Sequence, residues 1–279
     1  MWSIQRCCPI GGTRENVSGF QLSGDAASLY ERYGQFAMSP WTDDLILSAR
    51  CKEGDRVLDV ACGTGLVAKR VNAVSSAKCR ITGIDLNEHM LSVARQEPAI
   101  DWHLGDVSAM PFPDGAFDVV LCQQGLQFFP DRQAAMREMA RVLAPGGRLS
   151  LNVWGPLERQ VYFATLFKAV GRFISDDAAK TIASPYTLTT REDLRRLAVG
   201  AGFKNISVRF EQRTLREAED IARFTNGLLQ ATPVASQFRA LGNDQRMALA
   251  RHVADQLAGY VDDAGMAVPQ ENHFLFAIR

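Results

Sequence analysis

Residues 57–65 read VLDVACGTG, and a second apolar segment, RITGID, follows at residues 80–85. The first segment is a short apolar run that ends in two closely spaced glycines, which is typical of a buried strand followed by a tight turn. Apolar residues recur at helical spacing between the two segments, and the second segment ends in an acid, Asp85. The stretch therefore predicts a strand, a helix and a second strand in parallel.

The same alternation continues to residue 154. Strands are predicted at residues 100–104, 117–122 and 148–154, and helices at residues 87–96 and 131–143. Alternating strands and helices give a mostly parallel sheet with helices on both faces. Right-handed crossovers place all strand-to-helix loops at one edge, where such sheets bind ligands.

The regular alternation of strands and helices ends after Trp154. An amphipathic helix is predicted at residues 161–174, a strand at 204–213, helices within 215–260 and a closing strand at 273–278. We therefore expect an α/β, doubly wound, Rossmann-like fold with a seven-stranded sheet and a helical cap. One domain is predicted at residues 25–279, with residues 1–24 as a loose leader. Its parts are a core at 51–154, strands near 204–213 and 271–279, and cap insertions at about 155–200 and 214–266.

Composition excludes several classes of protein. Hydrophobic residues make up 47% of the 279 residues and charged residues 22%, as in ordinary globular proteins. Lys+Arg and Asp+Glu are 31 each, which disfavours a nucleic-acid binder with a basic excess. No apolar run has the length of a membrane span, and the N-terminus lacks a signal-peptide pattern, so a cytoplasmic location is predicted. The six cysteines show no metal-binding spacing, and no metal site is expected.

Three acids lie at or just after the ends of three successive predicted strands. Asp85 is placed to accept hydrogen bonds from a ribose diol, and Asp106 from an adenine amine. Asp59 would repel a pyrophosphate but would suit an ammonium group. The glycines at 63 and 65 let a ligand approach the backbone. Adenine, ribose and a cationic amino-acid tail together describe S-adenosylmethionine.

Two other interpretations remain open at this point. Residues 63–68 form a G-x-G-x-x-A pattern, which also occurs in NAD(P)-dependent oxidoreductases. That interpretation leaves Asp59 without a role. The chain could also be a non-catalytic cofactor-binding partner protein, although its complete set of glycines and acids argues against a degenerate site.

Four longer motifs make the resemblance specific. They are VLDVACGTG (57–65), GIDLNEHML (83–91), GDVSAMPFPDGAFDVVLCQQGLQFFPD (105–131) and REMARVLAPGGRL (137–149). With these motifs the sequence resembles the class I S-adenosylmethionine-dependent methyltransferases, in the broad group related to ubiquinone/menaquinone biosynthesis methyltransferases. The resemblance is strong over residues 54–154 and looser over the predicted helix at 27–41. It implies an antiparallel last strand and S-adenosyl-L-homocysteine as product.

The resemblance also implies which residues bind the cofactor. An aromatic side chain before the core, Tyr30 or Tyr33, would close the pocket. The implied cofactor-binding residues are Tyr33, Asp59, Ala61, Gly63, Gly65, Asp85, Leu86, Met90, Asp106, Val107, Gln123 and Gln124.

The acceptor is specified less well. The predicted reaction is an in-line transfer to a small molecule, with Gln127, Trp154 and Tyr186 as candidate substrate contacts. An apolar stripe at residues 163–170 belongs to the core or to a lipophilic acceptor site, and the second interpretation slightly favours O-methylation over C- or N-methylation. Weak candidates for a general base are His273, His252 and His103. The oligomeric state is not predicted.

Overall fold

The computed structural model describes residues 26–279 except 76, 77 and 189. The predicted leader at 1–24 lies outside the described residues. The strands in the described part of the chain are β1 (Arg56–Val60), β2 (Arg80–Asp85), β3 (Asp101–Leu104), β4 (Phe117–Gln123), β5 (Leu143–Trp154), β6 (Lys204–Glu217), β7 (Val261–Asp262) and β8 (Gly265–Ile278). The helices are α1 (Ala26–Tyr33), α2 (Gln35–Ala49), α3 (Leu66–Val74), α4 (Glu88–Ala94), α5 (Arg132–Val142), α6 (Val161–Phe173), α7 (Asp176–Ala183), α8 (Arg191–Gly200), α9 (Ile221–Gln230), α10 (Ala235–Ala240) and α11 (Asn243–Gln256).

One sheet contains all of these strands. Its order is β3-β2-β1-β4-β5-β8-β6, and the short β7 pairs with β8. The first five strands of this order are parallel, whereas β8 runs antiparallel to β5 and β6. The predicted fold class, including the antiparallel last strand, is confirmed. The topology reverses beside β1, so the loops after β1 and β4 meet at the carboxyl edge of the sheet.

Several elements are longer or shorter than predicted. Strand β6 continues to Glu217 and β8 begins at Gly265, because the two strands pair over that whole length. The outer part of this strand pair is polar and is held by backbone hydrogen bonds between the two strands. A search for alternating apolar residues therefore does not detect it. The short β7 makes an eighth strand. The helix predicted at 27–41 is interrupted at Gly34, whose missing β-carbon leaves room for the ring of Tyr30.

Apolar side chains of the central strands fill both faces of the sheet. On β4, Val119 and Leu121 belong to one buried cluster, and Val120 belongs to the other. The first cluster joins α2 and α3 to the cap helices α6, α9 and α11, and the second contains residues of α5 and α8. The cap therefore shares a core with the sheet. The division into one domain with two insertions stays a prediction. No helix among the described residues is long and apolar enough to cross a membrane.

Candidate active site

A cavity of ≈ 580 Å³ opens at the carboxyl edge of the sheet, between the strand ends and the cap. This volume lies in the range of small-molecule sites. Its described lining residues include two carboxylates, Asp85 and Asp106, and no Lys, Arg or His. The lining is therefore suited to a cation and unsuited to a pyrophosphate.

The loop after β1 forms one wall of the cavity. Ala61, Gly63 and Gly65 all have positive φ, at 55°, 56° and 90°. Gly63 lines the cavity, where a β-carbon would lie 3.3 Å from Cε of Met90. Gly65 faces away from it, and a β-carbon there would lie 2.5 Å from the indole ring of Trp102. Only the first glycine is thus placed for a ligand to approach, and the second makes room for Trp102.

Asp59 lies behind this loop and not on the cavity wall. Its side chain is 1% exposed, and Oδ2 accepts a hydrogen bond of 3.0 Å from the Ala68 N–H. This contact caps α3, whose own N-cap residue, Gly65, has no side chain. Burial raises the pKa of the Asp59 carboxyl to about 8, and the nearby Asp85 adds to the shift.

Asp85 joins two elements of the cavity. Its Oδ2 accepts from the Gly63 N–H at 2.8 Å, and its Oδ1 accepts from the Asn87 N–H at 2.8 Å. Burial raises the pKa of this carboxyl above its ordinary value. A carboxylate has about four acceptor sites, so Asp85 can still accept from a ligand. Asp106 also faces the cavity and caps the following turn through the Ser108 N–H at 2.8 Å.

The residues after β4 are held by buried amide contacts. The Gln123 amide accepts from Thr42 Oγ1 at 3.0 Å and donates to the Met38 carbonyl at 2.8 Å, which ties β4 to α2. Gln124 has a φ of 55°, and its Oε1 accepts from Nε2 of Gln127 at 2.8 Å. Gln123 and Gln124 line the cavity. Gln127 is buried beneath them, so it supports Gln124 instead of facing an acceptor.

The half of the cavity beneath the cap is apolar. Trp154 and Tyr186, the candidate substrate contacts, line it together with Phe163 and Leu166 of the apolar stripe. The rings of Phe163 and Tyr186 lie 6.0 Å apart. Burial raises the pKa of the Tyr186 phenol well above its ordinary value, which favours the protonated, hydrogen-bond-donating form.

The predicted cofactor residues are brought together, with two exceptions. Asp59 and Gly65 are the exceptions already described. The others line the cavity and are Tyr33, Ala61, Gly63, Asp85, Leu86, Met90, Asp106, Val107, Gln123 and Gln124. Tyr30 lines it as well, and burial together with the charge of Asp85 raises the pKa of its phenol.

The candidate histidines do not line the cavity. His103 Nε2 lies 2.8 Å from Asp101 Oδ2 on β3, an edge strand of the sheet. The His252 ring lies on α11 against Phe173, with the ring centroids 5.6 Å apart. His273 is buried within β8. The structure therefore does not place any of them where a general base for an acceptor would be needed.

Sequence analysis missed a second group of lining residues. These residues lie on α2, on the cap and on the loops after β4 and α9. They are Ala37, Met38, Phe128, Phe129, Pro130, Thr181, Ile182, Pro185, Leu228, Ala231, Thr232 and Pro233. The only sequence pattern that could have identified them is the spacing of apolar residues, and this spacing is the same for core residues and for residues of a pocket wall.

Known proteins resemble this chain in sequence. The family described as methyltransferase domain matches residues 58–151. The ubiquinone/menaquinone biosynthesis C-methyltransferase UbiE of Shewanella woodyi is 32% identical over 222 residues, which cover 73% of this chain and 86% of that protein. The chain belongs to the class I S-adenosylmethionine-dependent methyltransferases, in the group of the ubiquinone/menaquinone biosynthesis enzymes.

A second relative agrees with this assignment, and a solved structure has a similar fold. A demethylmenaquinone methyltransferase of Staphylococcus epidermidis is 32% identical over 184 residues, which cover 61% of this chain and 76% of that protein. The YcgJ protein of Bacillus subtilis has a similar fold, with a TM-score of 0.56, 18% identity, and coverage of 86% of this chain and 98% of that one. The methyltransferase uses S-adenosylmethionine as its methyl donor, and the acidic lining of its cavity fits that cation.

Proposed function

We propose that the methyltransferase methylates a small, lipophilic, ring-bearing acceptor, held in the half of the cavity beneath the cap. The observation that carries this proposal is the lining of that half, where Trp154, Phe163 and Tyr186 supply rings and Leu166 and Leu228 supply aliphatic surface. A pocket of this kind binds apolar rings and excludes strongly hydrated acceptors. The name of the Staphylococcus relative, which refers to a demethylated menaquinone, supports a quinone-like ring.

The other half of the cavity is proposed to hold the cofactor. Asp85 would accept the ribose hydroxyls, and Asp106 the adenine amine, with Leu86, Met90 and Val107 around the adenine ring. Gln123 and Gln124 would lie beside the methionine tail. Asp59 would act from behind the loop through its charge, since its Oδ2 already binds the Ala68 N–H.

The cofactor supplies an activated methyl group on a sulfonium, so the protein has mainly to position it. Orientation alone reaches effective molarities of about 10⁵ M or more. The described lining contains no histidine, and its two carboxylates lie in the cofactor half. We therefore propose an acceptor that ionises readily, such as a hydroquinone or phenol, whose proton leaves to water.

The methylated atom is proposed to be a ring carbon, which loses its hydrogen as a proton after the methyl group has been transferred, so that the aromatic ring and its hydroxyl re-form. An ionised phenol ring is nucleophilic both at oxygen and at the neighbouring carbons. The apolar cap alone slightly favours oxygen. The name of the Shewanella relative, a C-methyltransferase, supports carbon.

The acceptor proposal is tested by product analysis. The purified protein is incubated with S-adenosylmethionine and a reduced demethylnaphthoquinone carrying a short isoprenoid tail. A matched quinol with every ring carbon substituted and the polar amine phosphoethanolamine serve as controls. We expect S-adenosylhomocysteine and a carbon-methylated product from the first compound only. Turnover of the blocked quinol would indicate oxygen instead, and turnover of the amine alone would contradict the proposal.

The cofactor assignment is tested at Asp85. Replacing Asp85→Ala removes the proposed ribose acceptor and the two hydrogen bonds that hold the loop. Hydrogen bonds to a charged group contribute roughly 1.5–3 kcal/mol each, so losing the two to the ribose hydroxyls should lower the affinity for S-adenosylmethionine by about 100-fold or more. Calorimetry measures it, with the exposed Asp101→Asn as control. Unchanged affinity would refute the ribose assignment.

A further inference from the structure

Gly227 lies in the middle of α9, where a glycine needs an explanation. It is buried, and α9 spans Ile221–Gln230 without a break. A glycine inside a helix is less favourable than alanine by roughly 1 kcal/mol. Its backbone is helical, so no left-handed conformation requires it. The reason must be a neighbour that occupies the space of a side chain.

That neighbour is Tyr33 of α1. A β-carbon on Gly227 would lie 2.1 Å from Cζ of Tyr33, 2.4 Å from its Oη and 2.5 Å from Cε1. Ordinary contact begins at 3.4 Å, so the ring occupies the notch left by the glycine. Tyr33 is 9% exposed, and its ring packs edge-on against Phe224, with centroids 5.7 Å apart. Phe224 therefore limits the movement of the ring on the side of α9.

The contact between Tyr33 and Gly227 joins two elements that line different halves of the cavity. Tyr33 lines the cavity from α1, on which Tyr30 lies close enough to Asp85 for that charge to raise the phenol pKa. Leu228, the residue after Gly227, lines the cavity from the cap. Helix α1 also contacts the core through a small cluster around Met90 and through an ion pair of 3.6 Å between Glu31 and Lys69 Nζ of α3. The fit of Tyr33 into α9 adds the contact that joins α1 to the cap.

We propose that Gly227 is a positioning residue for S-adenosylmethionine. Its missing side chain seats Tyr33, and the seated ring holds α1 over the cofactor half of the cavity. The inference rests on the proposed function only in assigning that half to the cofactor. Cofactor binding can be measured without any acceptor, so an incorrect acceptor would not affect the result. Failure of the cofactor assignment itself would appear separately, as unchanged affinity in the Asp85→Ala variant.

The test is a double-mutant cycle in calorimetry with S-adenosylmethionine. In Gly227→Ala the new β-carbon displaces Tyr33, and the dissociation constant should rise about tenfold, the scale of one lost aromatic contact. In a Tyr33→Leu background the ring is gone, and adding Gly227→Ala should change the dissociation constant less than twofold. The second background also keeps the comparison available if Gly227→Ala alone folds poorly.

A matched control is Gly171→Ala. Gly171 also lies inside a cap helix, α6, but a β-carbon there would lie 3.5 Å from Cβ of Ala179, which is ordinary contact. We expect unchanged affinity and an equal or higher melting temperature, as helix propensity predicts. If Gly227→Ala behaves like this control, the proposal is overturned. It is also overturned if Gly227→Ala weakens binding equally in the wild type and in the Tyr33→Leu variant, because the effect would then not depend on the Tyr33 ring.

Discussion

Asp59 is expected to make cofactor affinity depend on pH. Burial raises the pKa of this carboxyl to about 8, so near neutral pH it is mostly protonated in the protein without cofactor. A cationic ligand in the cavity favours the ionised form. Ionisation and binding are therefore linked, and affinity should increase as the pH rises towards 8.

The size of the effect follows from the ionised fraction. With a pKa of about 8, the carboxyl is ionised in about 1% of molecules near pH 6 and in about 25% near pH 7.5. If only the ionised form binds tightly, the apparent dissociation constant should fall about twentyfold across that interval. The α-amino group of the ligand also titrates, with a pKa of about 8. Its contribution must be measured separately.

Asp59→Asn supplies that correction. The amide oxygen can still accept the Ala68 N–H bond, so the cap of α3 is preserved, while the titrating group is removed. Calorimetry at several pH values should show a steep dependence in the wild type and only that of the ligand in the variant. Equal slopes in the two proteins would refute the linkage.

The same shift has a consequence for stability. The folded pKa lies above the unfolded value, so the folded chain holds an extra proton between about pH 4 and pH 8. Without cofactor, the free energy of unfolding should therefore decrease as the pH rises through this window, and Asp59→Asn should remove that part of the decrease. Thermal denaturation at several pH values gives the comparison.

Two further substitutions probe the walls of the cavity. Trp102→Leu leaves part of the space between Gly65 and Gly83 empty, which the indole ring fills. The loop after β1 should then be less well held, and S-adenosylmethionine binding should weaken several-fold, on the order of 1 kcal/mol, whereas Trp102→Phe should weaken it less. Equal affinities by calorimetry in the wild type and both variants would contradict this. Tyr186→Phe removes a buried phenol donor from the acceptor half, and should lower turnover on the order of tenfold at unchanged cofactor affinity, which a steady-state assay with a short-tailed quinol measures.

The cofactor half could be predicted because its residues are close in sequence. Asp85 and Asp106 each follow directly after a strand, and parallel strands with right-handed crossovers bring such positions to one edge. The sequence could not show the direction in which each residue faces. Gly65 and Asp59 satisfy the same motif as Gly63, yet one accommodates Trp102 and the other caps α3.

The acceptor half was harder to predict because its wall is assembled from distant segments. Trp154 ends β5, Tyr186 follows α7 and Leu228 lies on α9, and only the packing of the cap brings them together. The pattern of each segment fits a core helix equally well. A histidine can act as a base near neutral pH wherever it lies in the chain, and the structure places the three candidates away from the cavity lining.

The two halves meet at a contact that neither the motifs nor the apolar pattern marks. Tyr33 belongs to the helix before the core, and Gly227 lies in the cap, almost two hundred residues later. Since a glycine in a helix is locally unfavourable, its presence in α9 indicates that the local cost is offset by a distant partner. A substitution in α9 that displaces the Tyr33 ring should therefore lower cofactor affinity, although it lies outside the motifs of the core.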